Sequence, residues 1–449
     1  MKLVEPRSCP ALLVAAPASG QGKTTVAAGL ARLHARQGRR VRAFKCGPDF
    51  LDPGWLALAS GAPVDSLDLW MTGEQDCARR LWAAAGDADL VVIEGVMGLF
   101  DGEPSAADLA RRFGLKVLAV IDAGAMAATF GALAFGLQHY RSGLSWAGVL
   151  ANRVAGERHA QMLEASLAGP DDWQGALPRD PAFELPERHL GLVAATEAPD
   201  ALARIDSIAD ALACTPLGRM APAELQRWRV SFEPPPAHAA SDSLAAPLNG
   251  RVVAVARDAA FCFIYPANLD CLRSLGAKLV FFSPLQDARL PHCDAVWLPG
   301  GYPELHAARL ASNHALRDSL RSHVAQGRPV WAECGGMMAL FERLRTVDGH
   351  DHALWGLLPG AVIMQARLAA LGPQQWVLDG KLLRGHTFHH SSCQTSLAPR
   401  ARTSRPGTAP AADAGEAVYQ LGPVRASYFH AWFASSPTAT AQLFTEVGQ

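Results

Sequence analysis

The sequence predicts an α/β protein of two doubly wound domains, an N-terminal P-loop-type parallel sheet followed by a second α/β domain. Three observations carry that reading. Residues 11 to 180 alternate short apolar runs with helical stretches, a Pro-, Ala- and Ser-rich interval interrupts the pattern, and the same alternation then restarts. Strands buried on both faces of a parallel sheet read as nearly continuous apolar runs, and these runs have that character. At about 150 residues per domain, 449 residues suffice for two or three sizeable cores.

In order, LLVAAP from Leu12 is the first strand and runs through a glycine-rich turn into a helix from about Lys23. VRAFKC, LVVIEG, KVLAVID and WAGVLANRV supply further strands, with a long apolar helix from Met126 to Tyr140 between the last two. Residues 197–216 read as one more helix. Around 233–249 the Pro/Ala/Ser-rich composition is that of a linker, which divides the chain into a first domain over 1–235, a linker over 236–249 and a second domain over 250–449. There RVVAVA, a helix near 267–275, KLVFFSP, AVWLPGG, helices across 303–326 and PVWAEC repeat the β-α order. Segment 396–415 has too few apolar residues for a core and reads as a mobile surface insertion. No internal repeat is visible.

Composition narrows the function. Lys plus Arg number 41 against 42 Asp plus Glu, a net charge of −1, so a basic nucleic-acid footprint is not expected. Nine cysteines without a CxxC pair argue against a disulfide framework or zinc ribbon and fit a reducing cytoplasm. The opening residues offer only a brief apolar run, and no window is long and apolar enough for a membrane span, so neither secretion nor insertion is expected.

Two segments carry chemistry. PASGQGKTT, from Pro17 to Thr25, lies between a buried-type strand and a helix, where backbone N–H groups cradle phosphates. Ser19, Gly20, Gly22, Lys23, Thr24 and Thr25 are the expected ATP-binding residues, with Lys23 on the outer phosphates and Thr24 on Mg²⁺. Pro17 stands where the usual motif has its first glycine, so an ordinary glycine-rich turn is the alternative. Asp49 in KCGPD and Glu94 in VVIEG each follow an apolar strand and are the expected carboxylate ligands of the metal, with Asp101 a further candidate. Either could instead cap a helix.

In the second domain, VWAECGGMM places Cys334 between an apolar strand and two glycines, the setting of a nucleophile on a sharp turn. A helix N-terminus there would favour thiolate, and Gly335 N–H would serve an oxyanion. LPGGYPE offers Gly301 N–H as the second oxyanion donor. The base is expected to be His430 in ASYFHAW, and His386, within RGHTFHHS beside His389 and His390, is expected to line a substrate surface. A buried structural cysteine and packed histidines are the alternatives.

These segments resemble known proteins. CGG, PGGYPE and the late His430 are similar to the class I glutamine amidotransferase domain, while SGQGKTT, KCGPDFLDP and EGVMGLFDG are similar to the dethiobiotin-synthetase-like ATP domain. Their order, together with LPERHLGL, LLPG, RGHTFHHS and SYFHAWF, resembles the cobyrinic acid a,c-diamide synthases over nearly the whole chain, hydrogenobyrinic acid being the substrate in the aerobic pathway. The resemblance implies a class I amidotransferase fold for the second domain, and a ligase that activates corrin acetate groups with Mg-ATP and replaces phosphate with ammonia from glutamine. ATP, glutamine and a corrin would be its partners, ammonia would follow a protected path between the domains, and a homodimer is one assembly the sequence allows. Two departures matter: Ala332 replaces the glycine usual before the nucleophile turn, and Trp432 occupies the position, two after the histidine, where class I domains carry an acid. A Cys-His dyad is therefore expected. A sister amidase such as cobyric acid synthase, or a nucleotide switch fused to an inert amidotransferase-like domain, remains the competing reading.

Overall fold

The computed structural model describes residues 5–188, 191–193, 195–235, 246–407 and 415–445. They divide into two compact units, one on each side of the 238/239 junction.

In the first unit, seven parallel strands run in the order Asp65–Leu67, Val41–Cys46, Leu90–Glu94, Arg7–Ala15, Lys116–Asp122, Ser145–Val154, Trp173–Pro178. Arg229–Phe232 adds an antiparallel partner to the start of Arg7–Ala15. The apolar runs are continuous because the sheet is covered twice. Leu13, Ile93 and Ile121 belong to the core under one face, and Leu12, Val14, Val92 and Val120 to the core under the other. Strand Arg7–Ala15 has neighbours that come later in the chain on both sides, so its carboxyl end opens at a topological switch point, where ligands of such sheets bind. Helix Lys23–Arg36 starts there, and helix Ala201–Ala213 packs so closely on it that a Cβ at Gly29 would lie 2.3 Å from Ile208 Cγ2. The two helices read from the sequence at 126–140 and 197–216 are shorter, Thr129–His139 and Ala201–Ala213. The AGAMA stretch before Thr129 turns before the helix begins, and Thr215 ends the other by bonding its hydroxyl back to Leu212 O.

The second unit has a seven-stranded sheet ordered Lys278–Phe282, Val252–Ala256, Ala295–Leu298, Val330–Glu333, Val424–Ser427, Ala417–Leu421, Ala401–Arg402. The first five are parallel and the last two antiparallel. Two small sheets, absent from the sequence reading, stand beside it. One joins Asp351–Ala353, Phe341–Arg345, Leu358–Met364 and Ser391–Gln394; the other is the hairpin Ala370–Leu378 and Lys381–His389 with His430–Ala431. The expected linker falls outside the described residues as far as 245, and Leu248, within its expected span, is buried in the second unit's core. The expected surface insertion needs correction. Its residues 408–414 lie outside the described residues, but Thr403 and Ser404 are buried, with Thr403 Oγ1 donating to Gln374 Oε1 at 2.6 Å and Ser404 N–H to Gln375 O at 2.8 Å. Polar side chains with complete hydrogen bonding can be buried without apolar content.

Candidate active site

The first centre forms where strand Arg7–Ala15 turns into helix Lys23–Arg36. Gly22 caps that helix at φ 97°, a left-handed conformation that glycine adopts without strain, and any Cβ there would come 2.1 Å from Asn152 Nδ2. The loop is tied down from the next strands: Asn152 Nδ2 donates to Gln21 O at 2.9 Å, Asp122 N–H to Gln21 Oε1 at 2.9 Å, and Arg153 Nη1 to Gly20 O at 3.0 Å. Lys23 folds back, donating to Ala18 O at 2.9 Å. Burial, then the nearby Lys45 ammonium, pushes its amine down to about 8.

Beneath the loop lies a buried charge cluster. Thr24 Oγ1 donates to Glu94 Oε1 at 2.5 Å, and Lys45 Nζ bridges Glu94 Oε1 at 3.0 Å, Asp52 Oδ2 at 2.5 Å and Gly95 O at 3.2 Å. Burial works against the Lys45 charge, but Asp52, Glu94 and Asp49 outweigh it and hold the ammonium above its ordinary value. Burial also pushes Glu94 up to about 8 against the pull of Lys45, and among the described residues no hydrogen-bond donor reaches the enclosed Glu94 Oε2. Asp52 is desolvated too, yet Lys45 holds it low.

Asp49, an expected metal ligand, accepts hydrogen bonds from backbone, while its charge acts on Lys45 within the same cluster. Its Oδ1 accepts the N–H of Leu51 at 2.8 Å and of Asp52 at 3.0 Å, so it caps the turn that starts helix Asp52–Ser60. Asp52, three residues on in the same KCGPDFLD segment, shares the Lys45 ammonium with Glu94, and Lys45 opens that segment. Asp101 closes the EGVMGLFDG loop by accepting Gly98 N–H at 2.8 Å, and Leu99 N–H donates to Ala16 O at 2.8 Å. That loop therefore lies against the phosphate loop.

Among the described residues no group of three or more His, Cys, Asp or Glu forms a metal cage. Mg²⁺ does not require one, since it is commonly held by one or two carboxylates with the nucleotide's own phosphates. Thr24, Asp52 and Glu94, with an undonated buried oxygen among them, fit that donor set.

The second centre sits at the end of strand Val330–Glu333. Cys334 has φ 43° and ψ −108°, a strained conformation for a residue with a Cβ, and joins the strand to helix Gly335–Leu340. Cys334 N–H donates to Ser427 O at 2.7 Å. The glycines behind it permit contact with the 298–303 loop: a Cβ at Gly335 would lie 2.9 Å from Gly301 N, and one at Gly336 would lie 2.1 Å from Leu298 O. Gly301 and Gly335 are thus adjacent, as an oxyanion pair requires. The resting sulfur is not the expected thiolate. Burial, with Glu304 adding to it, holds the thiol above its ordinary value despite the Gly335 N–H.

His430 enters from strand His430–Ala431, opposite His386 in the antiparallel register. The two imidazoles stack at 4.9 Å and 16°. A Cβ at Gly300 would fall 2.4 Å from His430 Cε1, so the PGG loop passes directly against the ring. Burial, then the neighbouring His386, drives His430 well below its ordinary value, so it rests neutral, the state a base needs. Glu333 Oε2 lies 3.9 Å from His430 Nδ1. His386 does not line a surface: it is 4% exposed, held by a 2.9 Å hydrogen bond between its Nε2 and Tyr265 Oη, and pushed down to about 3 by burial. His389 is likewise internal, stacked on Tyr428 at 3.7 Å with Glu416 at 3.1 Å.

The sequence matches the CobQ/CobB/MinD/ParA nucleotide binding domain over residues 12–193 and the CobB/CobQ-like glutamine amidotransferase domain over residues 252–438. It is 56% identical to the hydrogenobyrinate a,c-diamide synthase of Stutzerimonas stutzeri over 97% of this chain and 99% of that one. The chain belongs to the a,c-diamide synthase family. The family's hydrogenobyrinate a,c-diamide synthase from Pseudomonas aeruginosa is also 56% identical, over 97% of each chain. The cobyrinate a,c-diamide synthase of Herminiimonas arsenicoxydans is 47% identical over 97% of this chain and 96% of its own. A solved glutamine amidotransferase aligns with 42% of this chain and 94% of its own at 19% identity, with a TM-score of 0.28 that carries no weight. Within the a,c-diamide synthase family frame, Lys23, Lys45, Asp52 and Glu94 fall inside the nucleotide-binding match, and Cys334 and His430 inside the amidotransferase match.

Proposed function

We propose that this chain is the ATP- and glutamine-dependent ligase that amidates the a and c acetate carboxylates of hydrogenobyrinate or cobyrinate. The observation that carries it is identity over essentially the full length of relatives bearing those names. The cytoplasm, where ATP and glutamine are available, is the compartment this chemistry suits.

A carboxylate oxygen is a poor leaving group and phosphate a good one, so the acetate first takes the γ-phosphoryl group of ATP, giving acyl phosphate and ADP. Lys23 and the loop N–H groups hold the transferring phosphate, and Lys45 keeps Glu94 and Asp52 in place beneath it. Magnesium, held by Thr24, Asp52 and Glu94 with the nucleotide, would neutralise phosphate charge. In the second unit His430 takes the Cys334 proton as sulfur attacks the glutamine carboxamide; Gly301 and Gly335 N–H groups receive the oxyanion, and the proton leaves with ammonia. Water then cleaves the thioester to glutamate and free thiol. Ammonia attacks the acyl phosphate, forming the amide and releasing phosphate.

The test separates the halves. Cys334→Ser abolishes glutamine-driven amidation and spares amidation from added ammonia, whereas Lys23→Ala abolishes both. Loss of ammonia-driven product in Cys334→Ser would overturn this division of labour.

A further inference from the structure

Trp432 fills the position where an acid would ordinarily follow the catalytic histidine. A carboxylate reaches the ring from another direction. Glu333 ends strand Val330–Glu333, is 1% exposed, and brings Oε2 to 3.9 Å from His430 Nδ1. The backbone explains the approach: Glu333 pairs with Ser427 on the adjacent parallel strand, and His430 follows Ser427 by three residues. The nucleophile, the residue before it and the histidine therefore hang from two neighbouring strand ends. Glu333 is itself anchored, for Oε1 accepts from Trp331 Nε1 at 2.7 Å and from Ala431 N–H at 3.4 Å. Those bonds hold one oxygen and leave the other facing the imidazole. A buried carboxyl is costly wherever an apolar side chain would fill the space as well, so its place beside the base calls for a reason.

We infer that Glu333 is the positioning acid of His430, its carboxylate accepting Nδ1–H and so leaving the Nε2 lone pair to take the Cys334 proton. This rests on the Cys334–His430 pair of the proposed function. The proton moves from sulfur to Nε2 and then to the departing ammonia, and Glu333 remains ionised beside the transient imidazolium. Charge on the ring closes the 3.9 Å gap, as contacts that are long in the resting state tighten in the reacting complex. The acid of the triad is thus supplied from the residue preceding the nucleophile.

Burial pushes the Glu333 carboxyl up to about 8, so the measurements are made at pH 9. Glu333→Gln keeps the volume and the acceptor for Trp331, but its amide N–H can donate to Nδ1 and select the wrong tautomer. The expected result is a fall in kcat for glutamine hydrolysis of about a hundredfold or more, with KM for glutamine within about twofold and ammonia-driven amidation unchanged. A kcat within about threefold of the parent overturns the inference, as does an equal fall with ammonia, which would mark a scaffold role. Nitrogen NMR of the unsubstituted protein, with the His430 signal assigned by its loss in His430→Asn, provides a check that needs no folded Glu333 variant: Nδ1–H supports the inference and Nε2–H overturns it. Glutamine-driven activity surviving Cys334→Ser would instead remove the nucleophile itself, and the role of Glu333 with it.

Discussion

At the residue scale, the two centres are governed by buried charge. Lys45 is paired with two enclosed acidic side chains, Asp52 and Glu94, and removing one partner of such a cluster leaves charge without compensation. Lys45→Met should lower unfolding free energy by about 3–5 kcal/mol and abolish amidation from either nitrogen source, which denaturant titration and product analysis would check. His386 gives a pH signature. Its folded value of about 3 lies below the ordinary 6.5, so the unfolded chain binds the proton more readily. Its neutral burial is fully tolerated above 6.5 and costs stability increasingly as pH falls from there toward 3. Between pH 7 and pH 5, His386→Gln should therefore gain about 2 kcal/mol relative to the parent, and a pH-independent difference would refute that.

At the element scale, function depends on backbone that approaches closely. The PGG loop lies against His430, so a methyl at Gly300 must displace the ring. Gly300→Ala should cut glutamine hydrolysis at least about tenfold while leaving ammonia-driven amidation intact, measured side by side on one preparation. Strand-loop-helix units were legible in the sequence because each carries its own local signal: an apolar run, glycines at a turn, then helical spacing. GKTT and ECGG could be placed on their turns for that reason. The small sheets over 341–394 were not legible, because polar residues such as Gln374, Thr387 and Ser391 are buried by hydrogen bonding rather than by apolar periodicity. The same effect misplaced His386, whose polar neighbourhood reads as surface. Asp49 and Asp52 share one short segment, and nothing in its sequence tells which caps the turn and which pairs directly with Lys45. Glu333 was hidden by its position: sequence rules look after the histidine for its acid, whereas strand pairing brings one from before the cysteine.

At the scale of the whole molecule, Cys334 and the phosphate loop lie in different units, so under the proposed function ammonia made at one centre would have to reach the other. Ammonium at neutral pH is a poor nucleophile, and the proposed ligase therefore has reason to transfer ammonia without releasing it. With ATP and corrin saturating, glutamate and amide should form in a ratio near one; a large excess of glutamate would show that the transfer is open to solvent. The reaction itself can be followed directly. Purified protein is incubated with Mg-ATP, glutamine and either hydrogenobyrinic or cobyrinic acid, and product mass is followed with time. Stepwise conversion of one of these corrins to its diamide is expected, with the preferred one naming the substrate. Unchanged mass with both corrins, in a protein that still binds ATP, would contradict the proposed function.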